Sequence, residues 1–307
     1  MANILLRSPY FIYDPRATAL SAKLELSIEN VLVYTIIKNT DNANGALFEI
    51  AELSKDYLID SFNGTYTSNT VSLTITVKYY DGLEGSGTQV GADAPYFHEG
   101  FNGYSNFEEG KNAVTLPNSL LISNRIIYQP ESTAGVIPRE VDGQIVYSAF
   151  STATTSITLA GQVFTIVRLC EPKFTPIKVT FVNKFGALQD LWFFKKFTKN
   201  LTVSKDRYKR HTISQSGGYS INSHQDNILR SNGNERITLN TSFVDETMNE
   251  PIKQLLLSES VWATINGVVL PIVVTTENLH YKTKVNDKLI QYTIECEFAF
   301  QAINNIR

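Results

Sequence analysis

Alternation of apolar and polar residues marks the clearest elements of the chain. VSLTITVKYY (Val71–Tyr80) alternates without a break, as a half-buried strand does. AKLELSI (Ala22–Ile28) and VLVYTIIK (Val31–Lys38) read as strands around a tight Glu29–Asn30 connection, and DNANG (Asp41–Gly45) is a turn by residue type. Tyr10–Tyr13 is a short extended piece. Further strand-like pieces fall at Ser119–Tyr128, Gln144–Phe150, Ser156–Leu159 and Val163–Leu169, with LAGQVF (Leu159–Phe164) as a hairpin turn. The period changes once in this half: Ile50, Leu53, Tyr57 and Leu58 fall at helical spacing and predict a short helix over Ala51–Ile59.

The second half opens on IKVTFVNKFG (Ile177–Gly186) and LWFFKKFTKN (Leu191–Asn200), followed by a basic loop over Lys199–Arg210. Tyr208–Ser214 and Gly218–Ser223 read as extended. GNERITLNTSFV (Gly233–Val244) alternates through Ile237, Leu239, Thr241 and Phe243. NEPIKQLLLSE places Pro251 in a first turn with Ile252, Leu255 and Leu256 on one face, predicting a helix of about ten residues. Asn266–Gly267 between two apolar runs is a hairpin signal, and Val285–Lys288 marks a second hairpin. In YTIECEFAF, Tyr292, Ile294, Cys296, Phe298 and Phe300 share one face, which makes Cys296 a buried thiol. A Cys170–Cys296 disulfide is not required by anything in the pattern.

Two stretches break the rhythm. Asp81–Gly110 contains seven glycines, no sustained period, and the aromatics Tyr96, Phe97, Phe101, Tyr104 and Phe107. It reads as a long loop whose aromatics either fold back on their own domain or meet a partner. EPKFTP (Glu171–Pro176) carries two prolines that a central strand does not tolerate. It is the expected boundary between residues 1–172 and 173–307.

Composition changes the picture mainly through charge. The chain has 307 residues, 43% hydrophobic and 19% charged, enough for a sizeable core, and Phe, Tyr, Thr, Val and Ile favour strands. Its net charge is −3, yet Lys184–Arg210 holds eight Lys/Arg against two Asp, so a basic segment sits on an otherwise acidic protein. In LWFFKKF, strand alternation puts aromatics on both faces, which suits a covered strand better than an open single-stranded nucleic-acid platform.

No nucleophile elbow, phosphate-binding loop, dinucleotide fingerprint or metal-ligand spacing is present, and the four histidines are isolated. Glu108–Glu109 and Asp245–Glu246 are carboxylate pairs; Asp245 and Glu246 precede the Pro251 helix, where negative charge is favoured. The expectation is a structural or binding protein without enzymatic activity, cofactor or metal. MANILLRSPYFIYDP does not read as a secretion signal, and no apolar run approaches the ~18 residues of a membrane span.

The phrases SPYFIYD, FEIAELSKDYL, FHEGFNGYSNFEEG, VTFVNKFGALQDLWFFKK and LLLSESVWATINGVVLPIVV, with the ending NDKLIQYTIECEFAFQAINNIR, resemble virion proteins of tailed phages infecting Bacteroidota, including crAss-like phages. The resemblance implies a mainly β chain of two sandwich-like domains. The first would be immunoglobulin- or fibronectin-like, the second tail-tube-like with one short helix. It implies a tail-tube, distal-tail or neck-ring subunit in the virion. Its partners would be its own copies and other tail or neck proteins, with phage DNA passing without specific binding and no membrane contact. The expected subunit interface draws on Tyr96, Phe97, Phe101, Tyr104 and Phe107, on Lys199, Lys205, Arg207, Lys209 and Arg210, and on Arg307 in the polar tail. The alternatives are a host-surface or carbohydrate-binding module that stacks Tyr96, Phe97, Phe101 and Tyr104 on sugars, and a single-stranded nucleic-acid binder using Lys195, Lys196 and Lys199.

Overall fold

A computed structural model describes residues 2–41, 43–112, 122–159, 161–170, 173–283 and 290–303. The first half contains β1 (Ala2–Leu5), β2 (Phe11–Tyr13), β3 (Ser21–Ile28), β4 (Val31–Asn39), β5 (Leu47–Glu49), α1 (Ala51–Lys55), β6 (Thr70–Tyr80), β7 (Ala94–Phe101), β8 (Ile126–Pro130), β9 (Gly135–Val141), β10 (Gln144–Phe150), β11 (Ser156–Leu159) and β12 (Gln162–Leu169). The second half contains β13 (Ile177–Val182), β14 (Leu188–Phe193), β15 (Thr198–Lys209), β16 (Asp226–Asn240), α2 (Asn249–Leu256), β17 (Val261–Ile265), β18 (Val268–Val274) and β19 (Thr293–Phe298). The protein is mainly β.

The first half is built on a five-stranded sheet of order β1-β7-β6-β3-β4. The alternation of β3 and β6 becomes its core: Leu24, Leu26, Leu73 and Ile75 are fully buried with Phe48 and Ile50. The β3–β4 connection is Glu29–Asn30, both at positive φ, which matches the twist of a two-residue hairpin. At the next turn Asp41 accepts hydrogen bonds from the backbone of Ala43 and Gly45, each at 2.9 Å. β2–β5, β9–β10 and β11-β12-β8 form smaller sheets.

The second half is one seven-stranded sheet of order β14-β13-β17-β18-β19-β16-β15, to which, among the described residues, no strand before Ile177 contributes. Its edge strands, β14 and β15, are joined directly by the four residues Phe194–Phe197. Laid flat, six inter-strand gaps would cover ~29 Å. The connection spans at most ~18 Å. The sheet is therefore rolled, and the amide of Lys195 bonds the carbonyl of Asn240 at 3.2 Å to hold the roll. Ile252 and Leu255 of α2 and the preceding Met248 pack into the same core as Phe181, Phe193, Ile237, Leu239, Ile294 and Cys296.

Several expectations are corrected. The stretch Asp81–Gly110 is not a structureless loop, because β7 pairs with both β6 and β1. Its buried inward positions are His98 and Gly100, and a Cβ at Gly100 would lie 2.8 Å from Val71 and 3.0 Å from Leu6, so neither position carries the apolar residue that alternation needs. The basic loop is strand β15. β9 was absent from the sequence reading, and its Pro138 is tolerated in a sheet of two strands only. Helix α1 ends at Lys55, the amides of Tyr57 and Leu58 bond back three residues, and Ile59 is exposed. Phe243 and Phe300 lie past the ends of their strands and are about half exposed (49% and 44%). The Val285–Lys288 turn, the start of the Ser119–Tyr128 piece and the first residues of EPKFTP lie outside the described residues.

Candidate assembly surface

Where the two halves meet, three sequence-selected features turn inward. Phe101 is fully buried with Ile145 and Ala187, so it is a seam residue and not a surface aromatic. Beside it, Gly186 sits at φ +81°, and a Cβ there would lie 2.9 Å from Phe101. Tyr104 lies under the Arg7 guanidinium, 5.1 Å from the ring centroid, and burial pushes its hydroxyl up to about 12. A second seam cluster joins Phe62 to Val182, Leu188 and Trp262. Phe193 and Phe194 of the WFFKK stretch are buried, so that stretch offers no open stacking face.

The same seam holds a buried polar network on the outer face of β13 and β14. Strand register sets Trp192, Lys178 and Thr264 in one row across β14, β13 and β17, with Asp190 and Thr180 in the next. Asp190, its side chain 8% exposed, accepts from Thr180 at 2.7 Å and from the Tyr66 hydroxyl. Lys178 Nζ donates to the Tyr66 oxygen at 2.9 Å and lies 3.9 Å from Asp190 Oδ2. Burial pushes the Asp190 carboxyl above the usual range, against the pull of Lys178.

The remaining sequence-selected residues face outward. Tyr96 and Phe97 on β7 are 37% and 53% exposed, Tyr96 stacking on His98 with ring centroids 6.4 Å apart. Phe107, 99% exposed, stands on the single turn Phe107–Glu109. Arg307 lies outside the described residues.

Lys199, Lys205, Arg207 and Lys209 all sit on β15, and alternation puts them on one face with Leu201 and Val203. Lys199 is paired with Glu235 at 2.5 Å. Farther out, none of Lys205, Arg207, Lys209 and Arg210 enters an ion pair among the described residues. β15 pairs with β16 from Thr198↔Thr238 to Lys209↔Asp226. β19 leaves β16 after Arg236↔Glu297, and the last described supports are the Ala302 amide on the Gly233 carbonyl at 2.8 Å and the Asn232 side-chain amide on Gln301. Beyond that point β15–β16 is a two-stranded ribbon with no strand on either edge among the described residues. Its residues are exposed along both faces, including Tyr208, Ile228 and Leu229, and so are Ile213, Tyr219 and Ile221 in the segment that connects the two strands. Leu229 is the extra residue of a bulge opposite Asp206–Arg207. Sequence reading found the cations of this surface and missed the ribbon, because a strand wet on both faces carries no apolar alternation.

Among the described residues no group of three or more His, Cys, Asp or Glu could hold a metal. Glu109 pairs with Lys184, and Asp245 accepts from the Thr247 amide as the cap of the turn before α2, so these carboxylates have structural uses. No helix among the described residues is long and apolar enough to cross a membrane. No family model, curated protein or solved structure matches the chain.

Proposed function

We propose that this chain is a non-enzymatic structural subunit of a tailed-phage virion, a tail-tube, distal-tail or neck-ring protein that assembles with its own copies into rings. The observation that carries the assembly reading is the β15–β16 ribbon. A two-stranded ribbon with edges unpaired among the described residues and exposed Ile, Leu and Tyr is marginal alone in water, and a row of cations on one face calls for an acidic neighbour. The rest of this chain is acidic, so another copy supplies one. The resemblance to phage virion proteins supplies the context. In this reading the rolled seven-stranded sheet with α2 is the tube-like unit, and the first-half sheets are an immunoglobulin- or fibronectin-like decoration.

Negative-stain electron microscopy of the purified protein, with solution mass measured across concentration, tests the proposal. Rings, stacked rings or tubes are expected. A monomer at every concentration would count against self-assembly and bring the carbohydrate and nucleic-acid readings forward.

A further inference from the structure

The cations of the ribbon call for an acidic face, and the strand register of the first-half sheet builds one. Asn3, Glu99 and Ser72 stand opposite one another across β1, β7 and β6. Glu29 continues the row: its amide bonds the Ser72 carbonyl at 3.0 Å, and its carboxylate accepts from the Ser72 amide at 2.8 Å. At the Asn3 end the β9–β10 turn closes in, where a Cβ on Gly143 would lie 3.9 Å from Asn3 Oδ1, and the exposed Asp142 comes to the corner. Glu29, Glu99 and Asp142 enter no ion pair among the described residues. Glu25, two rows away on the same face, is held by Lys23 at 2.7 Å and Lys78 at 2.8 Å, so it adds no net negative charge.

The next row on this face runs Phe97–Thr74–Ser27–Leu32, and both of its ends are open to water, Phe97 at 53% and Leu32 at 56%. A negative row therefore lies beside an apolar one. The ribbon carries the complementary pair of rows. Register sets Lys205 opposite Ser231, Arg207 opposite Ile228 and Lys209 opposite Asp226, so three cations of β15 stand against the carboxylate of Asp226, and β16 adds the exposed Ile228. The dimensions agree as well. Lys205 to Lys209 covers ~13 Å of strand, and the three inter-strand gaps from Asn3 to Glu29 cover ~14 Å. Rows on one face of a sheet repeat every ~7 Å, and the two ribbon strands lie ~5 Å apart. A ribbon crossing the sheet near a right angle, one of the two usual ways in which sheets pack, sets β15 over the carboxylates and β16 over Phe97 and Leu32.

We infer that the cationic face of the β15–β16 ribbon of one copy lies across the Asn3–Glu29 and Phe97–Leu32 rows of the next, a contact that rests on the self-assembling reading above. A second copy is the occupant because sign, row order and spacing match, while within one chain both surfaces stay in water: Glu29, Phe97 and Leu32 are exposed, and so are Lys205, Arg207 and Ile228. Unpaired charge on both sides steers the encounter and fixes the register, and the apolar row is then removed from water. The two surfaces differ, so the contact is heterologous, repeats from copy to copy and closes into a ring when the rotation permits.

Charge exchange between the two surfaces tests it by sedimentation at low salt. Glu29→Lys with Glu99→Lys makes the sheet face repel the ribbon, and Lys205→Glu with Arg207→Glu and Lys209→Glu makes the ribbon repel the sheet face. Each variant alone should associate roughly 10-fold or more weakly than the parent chain. Mixed in equal amounts they should recover parent-like association, because each ribbon then meets a face of opposite sign. Glu29→Gln with Glu99→Gln keeps an acceptor for the Ser72 amide, so it should unfold thermally with the parent and associate with intermediate strength; this variant decides the matter if E29K/E99K folds poorly. Parent-like assembly of the variants at Glu29 and Glu99, or a mixture as weak as its components, overturns the contact while leaving ring formation standing. A parent protein that stays monomeric at every concentration overturns both.

Discussion

Replacing Lys178 by Met probes how the two halves are joined. The substitution removes the cation 3.9 Å from Asp190 and leaves the carboxylate, 8% exposed, with only the Thr180 and Tyr66 hydroxyls. At an effective dielectric of 20, a pair at that distance interacts by about 4 kcal/mol. Breaking buried pairs on one side commonly costs ~3–5 kcal/mol. K178M should therefore lose ~3–4 kcal/mol near neutral pH, read by urea unfolding. The loss should depend on pH. Burial already holds the Asp190 carboxyl above its ordinary range, and removing Lys178 raises it further. A carboxyl whose folded pKa lies above its unfolded value favours the folded state most when protonated. Its contribution is fullest below the ordinary value of about 3.9 and is lost as pH climbs through the raised one. The penalty of K178M should accordingly be small near pH 4 and larger at neutral pH. Adding Asp190→Asn removes the stranded charge and should recover most of the neutral-pH loss. Equal losses at both pH values, or a double variant no better than K178M, would refute the electrostatic account.

Phe101→Ala should cost ~3–5 kcal/mol in chemical denaturation, because the ring fills the seam and leaves a cavity; a loss under ~1 kcal/mol would return Phe101 to the surface. Reversing Lys205, Arg207 and Lys209 to Glu should change folding stability by less than ~0.5 kcal/mol per site. The same triple variant should weaken self-association at low salt, with the difference fading towards ~1 M salt, where the Debye length is ~3 Å; sedimentation measures both. A maleimide should label Cys170 in the folded protein and reach Cys296 only on unfolding, since burial pushes the Cys296 thiol up to about 12; equal labelling rates would contradict the core assignment. Gly267→Val should destabilise the β17–β18 hairpin by more than ~1 kcal/mol, because φ there is +78°; unchanged thermal unfolding would contradict the turn.

Elements with runs of apolar and β-branched residues, or with helical spacing, were legible from the chain alone. β3, β4, β6, β10, β11 and α2 lie where alternation or helical spacing put them, and Asn266–Gly267 turns as its residue types require. The errors share a cause: burial was not periodic where they occurred. β7 has a glycine where an apolar residue would have announced the core, and β15 has no core on either face. Phe101 was chosen for its neighbours in sequence, whereas its burial comes from Ile145 and Ala187, far away in the chain. Lys178, Asp190 and Tyr66 escaped notice for the same reason. The register of β13 with β14 and the path of a separate segment bring them together, and neither is written locally.

The ribbon raises a question that its cations help to answer. A long exposed edge with Leu201, Val203, Ile228 and Leu229 invites indiscriminate strand pairing. Charged side chains on an edge oppose such pairing, and Lys205, Arg207 and Lys209 recur at every second position on one face of β15. The bulge at Leu229 adds local twist, which further disfavours a flat stack of like strands. Identical ribbons therefore repel one another, while an acidic surface on a neighbour neutralises the row and lets the apolar residues close. In the assembly proposed above, the same residues would oppose ribbon-to-ribbon pairing and favour a partner face that is not the ribbon itself, which is the condition for a directional ring rather than an aggregate.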